Sequence, residues 1–269
     1  GVYHITKYTT NIIKYDLEGN LLWEKEYAGG GFKSSYGVGV DSEGNVYVAG
    51  TAPSAKMFLL KYDLDGNLLW ERTTNGVGKG LDIDKENNIY VVGSKITGSD
   101  TDLALWKYNS NGDLSWEKTI NRGQEDLGED VDIDFNGNIY VTGIIDSNPD
   151  PLYVNDDLWL LKFDSSGNLI WDEIIGGSWT DNGYGIFIDD ISNSIYVAGS
   201  TESIGLAIKN AWLLKYDLDG NLIWDKTFGE EISMMVGKTF EDLVVSGGNI
   251  YAVGNYLNFA VMGISNIYI

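Results

Sequence analysis

The chain contains no cysteine and only one histidine, His4, in 269 residues. Without cysteine there is no disulfide, no thiolate metal ligand and no cysteine nucleophile. A single histidine also excludes a multi-histidine zinc site. No apolar run approaches the roughly 18–20 residues that a membrane-spanning helix needs, so no membrane insertion is expected.

Basic residues are few compared with acidic ones. The 18 Lys and Arg stand against 40 Asp and Glu, which gives a net charge of −22 at pH 7. Such a surface repels phosphate backbones, so no nucleic-acid partner is expected. Proline is scarce and hydrophobic residues make up 43% of the chain, a globular composition that favours one domain spanning residues 1–269.

A ten-residue unit recurs five times along the chain, at intervals of 47, 46, 55 and 53 residues. Its copies are KYDLEGNLLW (14–23), KYDLDGNLLW (61–70), KYNSNGDLSW (107–116), KFDSSGNLIW (162–171) and KYDLDGNLIW (215–224). A second unit alternates with it: GVGVDSEGNVYVAG (37–50), GLDIDKENNIYVVG (80–93), DVDIDFNGNIYVTG (130–143), GIFIDDISNSIYVAG (185–199) and DLVVSGGNIYAVG (242–254). Each pair of units predicts four short strands bounded by Gly, Asn and Asp turns. The sequence therefore predicts an all-β fold, a β-propeller of four-stranded antiparallel blades.

The two ends of the chain decide the number of blades. Residues 2–6 match a second strand, Phe259–Ile264 match a third strand, and Ile267–Ile269 would supply a fourth. This count predicts six blades, the first of them incomplete. The alternative is five blades, with the N-terminal third and fourth strands closing the last blade.

The frame K-[YF]-[DN]-x-x-G-[ND]-L-x-W followed by I-D-x-x-G-N-I-Y-V-x-G resembles the SBBP type of β-propeller repeat, which is related in pattern to NHL blades. The resemblance covers nearly the whole chain. It implies the propeller fold and an extracellular or cell-surface setting. It implies no shared catalytic residues.

The Asp-rich turn in each ten-residue unit looks like the front of a calcium loop. Counting from Asp63, oxygen ligands stand at positions 1, 3 and 5, but Leu68 occupies position 6, where an EF-hand needs Gly, and Thr74 occupies position 12, where it needs Glu. We therefore predict a hairpin turn at this position. The Lys that opens each unit and the acid that follows its Trp are expected to pair across adjacent strands.

Ligand contacts are expected where the copies differ, in the longer loops of one propeller face. Of nine tryptophans, five close the units, three lie in third strands, and only Trp179 is off the frame. With Asp181, Asn182 and Tyr184 it offers an aromatic face and hydrogen-bonding groups that suit a sugar or a peptide. Tyr153, in the loop 146–157, is added to this predicted ligand site.

The same loops carry clustered carboxylates. We predict Asp126, Glu129, Asp130, Asp156 and Asp157 as oxygen ligands for Ca²⁺. The favoured function is a non-enzymatic binding or assembly module that contacts a protein or a glycan, with self-association through the chain ends. The alternative is a carbohydrate-active hydrolase or lyase that uses loop carboxylates. For a third class, a quinone-cofactor propeller, the sequence offers no dedicated cofactor ligands.

Overall fold

The computed structural model describes residues 10–27, 34–146, 155–204, 209–229, 236–258 and 266–268, and its regular elements are β-strands. These segments contain no helix that is long and apolar enough to span a membrane. In chain order the strands are β1 (Thr10–Tyr15), β2 (Leu21–Tyr27), β3 (Ser34–Val40), β4 (Val46–Ala52), β5 (Lys56–Tyr62), β6 (Leu68–Asn75), β7 (Val77–Ile83), β8 (Ile89–Thr97), β9 (Asp100–Tyr108), β10 (Leu114–Ile120), β11 (Asp126–Ile133), β12 (Ile139–Asp146), β13 (Asp156–Phe163), β14 (Leu169–Ile175), β15 (Asp181–Asp189), β16 (Ser194–Thr201), β17 (Asn210–Asp217), β18 (Leu222–Phe228), β19 (Val236–Ser246), β20 (Asn249–Asn258) and β21 (Asn266–Tyr268).

These strands form six antiparallel sheets in the described residues. The second to fifth sheets, β3–β6, β7–β10, β11–β14 and β15–β18, each have four strands in chain order. The first sheet is the β1–β2 hairpin, and the sixth is β19–β20–β21. The prediction of an all-β propeller with four-stranded antiparallel blades is confirmed. Each sheet corresponds to one repeat, because the chain folds back at every Gly-containing turn.

The strands predicted for residues 2–6 and for Phe259–Ile264 lie outside the described residues, so the six-blade count stays a prediction. At the C-terminal end the expected position was wrong. Asn266–Tyr268 pairs with Gly254–Tyr256 of β20, so this strand lies beside the second strand of its sheet, in the third position rather than the fourth.

The Asp-rich turns are hairpins, as predicted. Asp63 Oδ1 accepts hydrogen bonds from the backbone N–H groups of Asp65 (2.9 Å) and Asn67 (2.8 Å), and Asp63 Oδ2 accepts one from Asn67 Nδ2 (2.9 Å). Gly66 has φ = +77°, a conformation that glycine adopts without steric cost. Both oxygens of the Asp63 carboxylate therefore accept hydrogen bonds within their own turn.

A cluster of four side chains repeats in the second, third and fourth sheets, where each packs on the next one. In the second sheet the hydroxyl of Tyr47 donates to Asp41 Oδ2 (3.0 Å), the Tyr47 ring meets the Trp70 ring edge to face, and Lys61 Nζ lies 5.0 Å from the Tyr47 ring centroid. The third and fourth sheets have the same arrangement around Tyr90 and Tyr140.

The predicted pairing between the repeated Lys and the acid after Trp is wrong. Lys61 lies opposite Trp70, whereas Glu71 lies opposite Leu60. Because side chains alternate between the two faces of a strand, Lys61 and Glu71 point to opposite sides of the sheet. The lysine instead approaches Asp41, with Nζ 3.6 Å from Oδ2.

The hydrophobic core lies between adjacent sheets. The third-strand tryptophans Trp106, Trp159 and Trp212 are buried there, as the repeat predicts. One sheet-to-sheet joint is open in the described residues. Tyr251 of the sixth sheet is 58% exposed although its counterparts in the second to fifth sheets are buried, and Val38 of β3 is 67% exposed although its counterparts, such as Leu81, are buried.

Candidate binding site at the channel mouth

The innermost strands of five sheets line a central channel. Residues of β3, β7, β11, β15 and β19 enclose a cavity of about 580 Å³. Each of these strands begins after a loop that joins two sheets and ends at a tight turn. One end of the channel therefore opens on the face that carries the sheet-to-sheet loops, here called the loop face, and the other opens on the turn face.

Five side chains that occupy the same position of the repeat line the cavity near the loop face. This mouth ring consists of Tyr36, Lys79, Glu129, Tyr184 and Glu241. Each stands immediately before the Gly or Asp that opens the second repeated unit. The repeat therefore holds the backbone constant at this position while the side chain changes from sheet to sheet.

An ion pair and a ring contact join three members of the mouth ring. Lys79 Nζ donates to Glu129 Oε2 at 2.9 Å and to Oε1 at 3.2 Å, and it lies 5.0 Å from the centroid of the Tyr36 ring. Both charged side chains are partly buried. The lysine ammonium is thus held between an aromatic face and a carboxylate.

The other two members of the mouth ring have no lysine between them. Asn182 Nδ2 donates to the hydroxyl oxygen of Tyr184 at 2.9 Å, and burial raises the pKa of Tyr184. Glu241 Oε1 accepts hydrogen bonds from Thr239 Oγ1 (2.6 Å) and Asn255 Nδ2 (3.1 Å). In the described part of the chain Glu241 makes no ion pair.

Below the mouth ring, aspartates on the inner strands link the third sheet to the fourth and the fourth to the fifth. Asp130 Oδ2 accepts the N–H of Ile186 (3.0 Å), and Asp132 Oδ2 accepts the N–H of Ile188 (2.6 Å). Asp82 accepts the N–H of Ile133 at 3.0 Å in the same way. Backbone N–H groups at the free edges of β11 and β15 are therefore satisfied by carboxylates from the preceding sheet.

The same aspartates hold protons unusually tightly. Burial raises the pKa of Asp130 to about 8, although the N–H of Ile186 opposes the shift. Asp82 and Asp132 hydrogen-bond to each other through their side chains, and the pKa of each is raised, mainly by burial. Near neutral pH this pair shares a proton, because two adjacent carboxylates cannot both ionise at low cost.

The five predicted metal ligands are in different environments. Glu129 is paired with Lys79, and Asp130 bonds to backbone in the channel. Asp126 is buried, and its Oδ2 accepts the N–H groups of Arg122 and Gly123. Asp156 and Asp157 are neighbours on β13, and their side chains point to opposite faces of the sheet. Within the described ranges no group of three or more Asp, Glu or His is placed to hold a metal ion.

The predicted ligand residues do not form one site. Trp179 is 66% exposed, on the loop that precedes β15. Asp181 is buried beneath this loop, where its Oδ2 accepts the N–H of Gly177 (2.9 Å) and the hydroxyl of Ser203 (2.7 Å). Tyr184 lines the channel mouth with Asn182 buried beside it, and Tyr153 lies outside the described residues.

The sequence prediction missed Tyr36, Lys79 and Glu241. The only available signal was the repeat itself. The residue immediately before each copy of the second unit varies between the five copies. That these positions meet around one channel follows from the packing of the five inner strands side by side, which the pattern of a single unit does not contain.

The fold was compared with solved structures. A protein of unknown function from Bacteroides caccae matches with 14% identity and a TM-score of 0.52, over 82% of this chain and 76% of the other. A gluconolactonase from Xanthomonas campestris matches with 12% identity and a TM-score of 0.52, over 87% and 76%. A Synechocystis apocarotenoid oxygenase variant matches with 11% identity and a TM-score of 0.51, over 87% of this chain and 58% of the other. At such identities the likeness concerns the fold alone.

No curated protein matches the sequence. One family profile does, over residues 9–205, which is more than half of the chain. Its description is outer membrane protein assembly factor BamB. The propeller repeat is thus placed in this family, while the finer resemblance to SBBP and NHL repeats remains a prediction. The chain belongs to the family of the outer membrane protein assembly factor BamB.

Proposed function

We propose that the protein is a non-enzymatic binding module that takes its ligand at the mouth of the channel on the loop face. The observation that carries this proposal is the mouth ring. Its five positions occupy one place in the repeat and carry three kinds of side chain, two tyrosines, two glutamates and one lysine, around a cavity of about 580 Å³. Variable side chains on a rigid, repeated scaffold are typical of a binding surface.

The carboxylates of the channel favour binding over catalysis. A glycosidase needs two carboxyl groups that face one substrate, one as acid and one as base or nucleophile. Asp82, Asp130 and Asp132 are engaged by backbone N–H groups of the next sheet. Glu129 is engaged by Lys79. The three aspartates are therefore explained as groups that link adjacent sheets, and Glu129 as one half of an ion pair.

The exposed Trp179 extends the proposed surface beyond the channel. An exposed indole offers an apolar face to a sugar ring or to a side chain of a protein. Its loop is fixed, since the N–H of Trp179 donates to Ser203 Oγ at 3.1 Å. The ligand classes proposed are therefore a glycan or a protein segment. An extracellular or cell-surface location is proposed with them, on the strength of the repeat resemblance.

The test is to screen the protein on a glycan array and a peptide array, with Trp179→Ala and Tyr36→Ala as variants. Phe135→Ala is the matched control, because Phe135 is equally exposed but belongs to a tight turn of the opposite face. Loss of a captured ligand in both loop-face variants, with capture kept in the control, supports the proposal. No capture by the wild-type protein, or equal loss in the control, would contradict it.

A further inference from the structure

The chain itself shows what the mouth ring accepts. Lys79 reaches across the mouth ring, with its ammonium against the Glu129 carboxylate and over the Tyr36 ring. A cation over an aromatic face and beside a carboxylate is stabilised by both the ring quadrupole and the opposite charge. One side of the mouth is therefore already occupied by a lysine side chain from the protein.

The other side of the mouth has the same two kinds of group without a lysine. Tyr184 lies next in the ring after Glu129, and Glu241 follows it. The two glutamates are near enough to raise the pKa of Tyr184, after the larger effect of burial. An incoming ammonium group would meet there what Lys79 meets on its side, an aromatic ring and a carboxylate.

The charge of the cavity selects for a cation. Its lining includes six carboxyl groups and one basic side chain, Lys79. The carboxyl groups belong to Asp82, Asp130, Asp132, Asp242, Glu129 and Glu241. With Asp130 protonated and one proton shared by Asp82 and Asp132, negative charges still outnumber the single positive charge near neutral pH. The whole chain carries a formal charge of −22, which draws basic partners towards it.

Building on the function proposed above, we propose that the Tyr184–Glu241 side of the mouth ring binds the ammonium group of a lysine side chain on a protein partner. The lysine of the partner takes the place that corresponds to Lys79 on the other side. Its alkyl chain packs along Tyr184 and its ammonium donates to the Glu241 carboxylate. The partner is a protein segment with an accessible lysine, and Lys79 is the internal counterpart of that lysine.

The test uses a short synthetic peptide with one central lysine between serine and glycine residues, and three versions with norleucine, acetyl-lysine or arginine in its place. Binding is measured by titration calorimetry. We expect the lysine peptide to bind about tenfold more tightly than the norleucine and acetyl-lysine peptides, because only it brings a compact charge. The arginine peptide is expected to bind less tightly than the lysine peptide, since the equivalent place on the other side of the mouth holds the ammonium group of Lys79.

Three variants locate the site. Glu241→Gln removes the charge and Tyr184→Leu removes the aromatic ring, and each is expected to weaken lysine-peptide binding about three- to tenfold. Lys79→Met is expected to do the opposite, because it frees Tyr36 and Glu129 for a second peptide and raises the stoichiometry from one to two. Lys85→Met is the matched control, because Lys85 lies 4.1 Å from the Phe135 ring centroid on the turn face and its removal should change nothing.

Each outcome decides the question. Equal binding of the lysine and norleucine peptides, or a stoichiometry that stays at one in Lys79→Met, overturns the lysine inference. The proposed function survives that result if the arrays still show capture that depends on Trp179 and Tyr36. If the arrays show no capture at all, both fail. Thermal unfolding of every variant near the wild-type temperature separates lost binding from lost folding, and Glu241, being exposed, is the safest position for this comparison.

Discussion

The hydrogen bond between the repeated Tyr and Asp offers a quantitative test of the joints between sheets. Tyr90 is fully buried, and its hydroxyl donates to Asp84 Oδ2 at 3.0 Å. Tyr196 occupies the same position of the fifth sheet, with a similar contact to Trp224 (6.3 Å between ring centroids) and a lysine at 5.0 Å. The two tyrosines differ in one respect, since in the described residues the Tyr196 hydroxyl makes no hydrogen bond to the turn aspartate.

The reason lies in the sequence of the turn. The fourth copy of the second unit, GIFIDDISNSIYVAG in the fifth sheet, has one residue more than the three copies before it. In it the Asp189 carboxylate accepts hydrogen bonds from the N–H of Ile191 (3.0 Å) and the hydroxyl of Ser192 (2.7 Å). The longer turn thus uses this carboxylate locally.

Tyr90→Phe removes a buried hydrogen bond to a carboxylate, an interaction worth about 1.5–3 kcal/mol. Asp84 Oδ2 keeps its bond to Asn88 Nδ2 (2.8 Å), so we expect the low end of this range. A loss of about 1.5 kcal/mol lowers the melting temperature of a protein of this size by about 3–6 °C. Tyr196→Phe loses no such bond and should shift it by less than about 2 °C.

The measurement is thermal unfolding of both variants followed by circular dichroism. Burial and the neighbouring Asp84 raise the pKa of Tyr90, so its hydroxyl remains a donor and the difference should be constant between pH 6 and pH 9. An equal fall in the melting temperatures of Tyr90→Phe and Tyr196→Phe would refute the reasoning. The destabilisation would then come from the lost volume of the hydroxyl group rather than from its hydrogen bond to Asp84.

Two further predictions follow from buried contacts. Burial raises the pKa of Asp130 to about 8, so the folded state keeps a proton that the unfolded chain releases near pH 3.9. That stabilisation is complete below about pH 3.9 and is lost as the pH rises through about 8. The melting temperature should therefore fall between pH 5 and pH 8, and less steeply in Asp130→Asn; a rise over this range would contradict the assignment. Gly93→Ala should cost about 3 kcal/mol or more, because its methyl group would lie 1.9 Å from the carbonyl oxygen of Val77. Gly98→Ala has open space around it, so only the positive φ should lower the free energy of unfolding, by about 1–2 kcal/mol. Urea titrations in which Gly98→Ala is the more destabilising of the two variants would count against this.

The local parts of the fold could be predicted from the sequence because they are set by neighbours in the chain. The turn around Asp63 and Gly66 needs only five consecutive residues, and the repeat shows it many times. The pairing of Lys61 could not be predicted in the same way. A bulge between Lys61 and Tyr62 shifts the register, which brings Trp70 to the face of Lys61 and sends Glu71 to the other face. Nothing in the alternation of residue types marks that extra residue.

The candidate site was only partly predictable. Trp179 could be predicted because it is the one tryptophan that lies outside the repeated units and third strands, and its side chain is exposed. Successive members of the mouth ring are 43–57 positions apart in the chain, and nothing in the sequence around any one of them marks it as a site residue. The carboxylates grouped by sequence, such as Asp156 and Asp157, are separated by the alternation of a strand, while Lys79 and Glu129, 50 residues apart, are in contact.

The open joint has a consequence for how the number of repeats can change. Tyr251 of the sixth sheet is the residue type that faces the next sheet at the internal joints, and Val38 and Val40 of β3 are aliphatic like their counterparts on the receiving side. A duplicated repeat that enters at the open joint would therefore find an apolar surface on both sides. One that enters beside β11 or β15 would break the hydrogen bonds that Asp82, Asp130 and Asp132 make to the next sheet. The joints are thus not equivalent, and the open one is where the number of repeats can change at the lowest cost in stability.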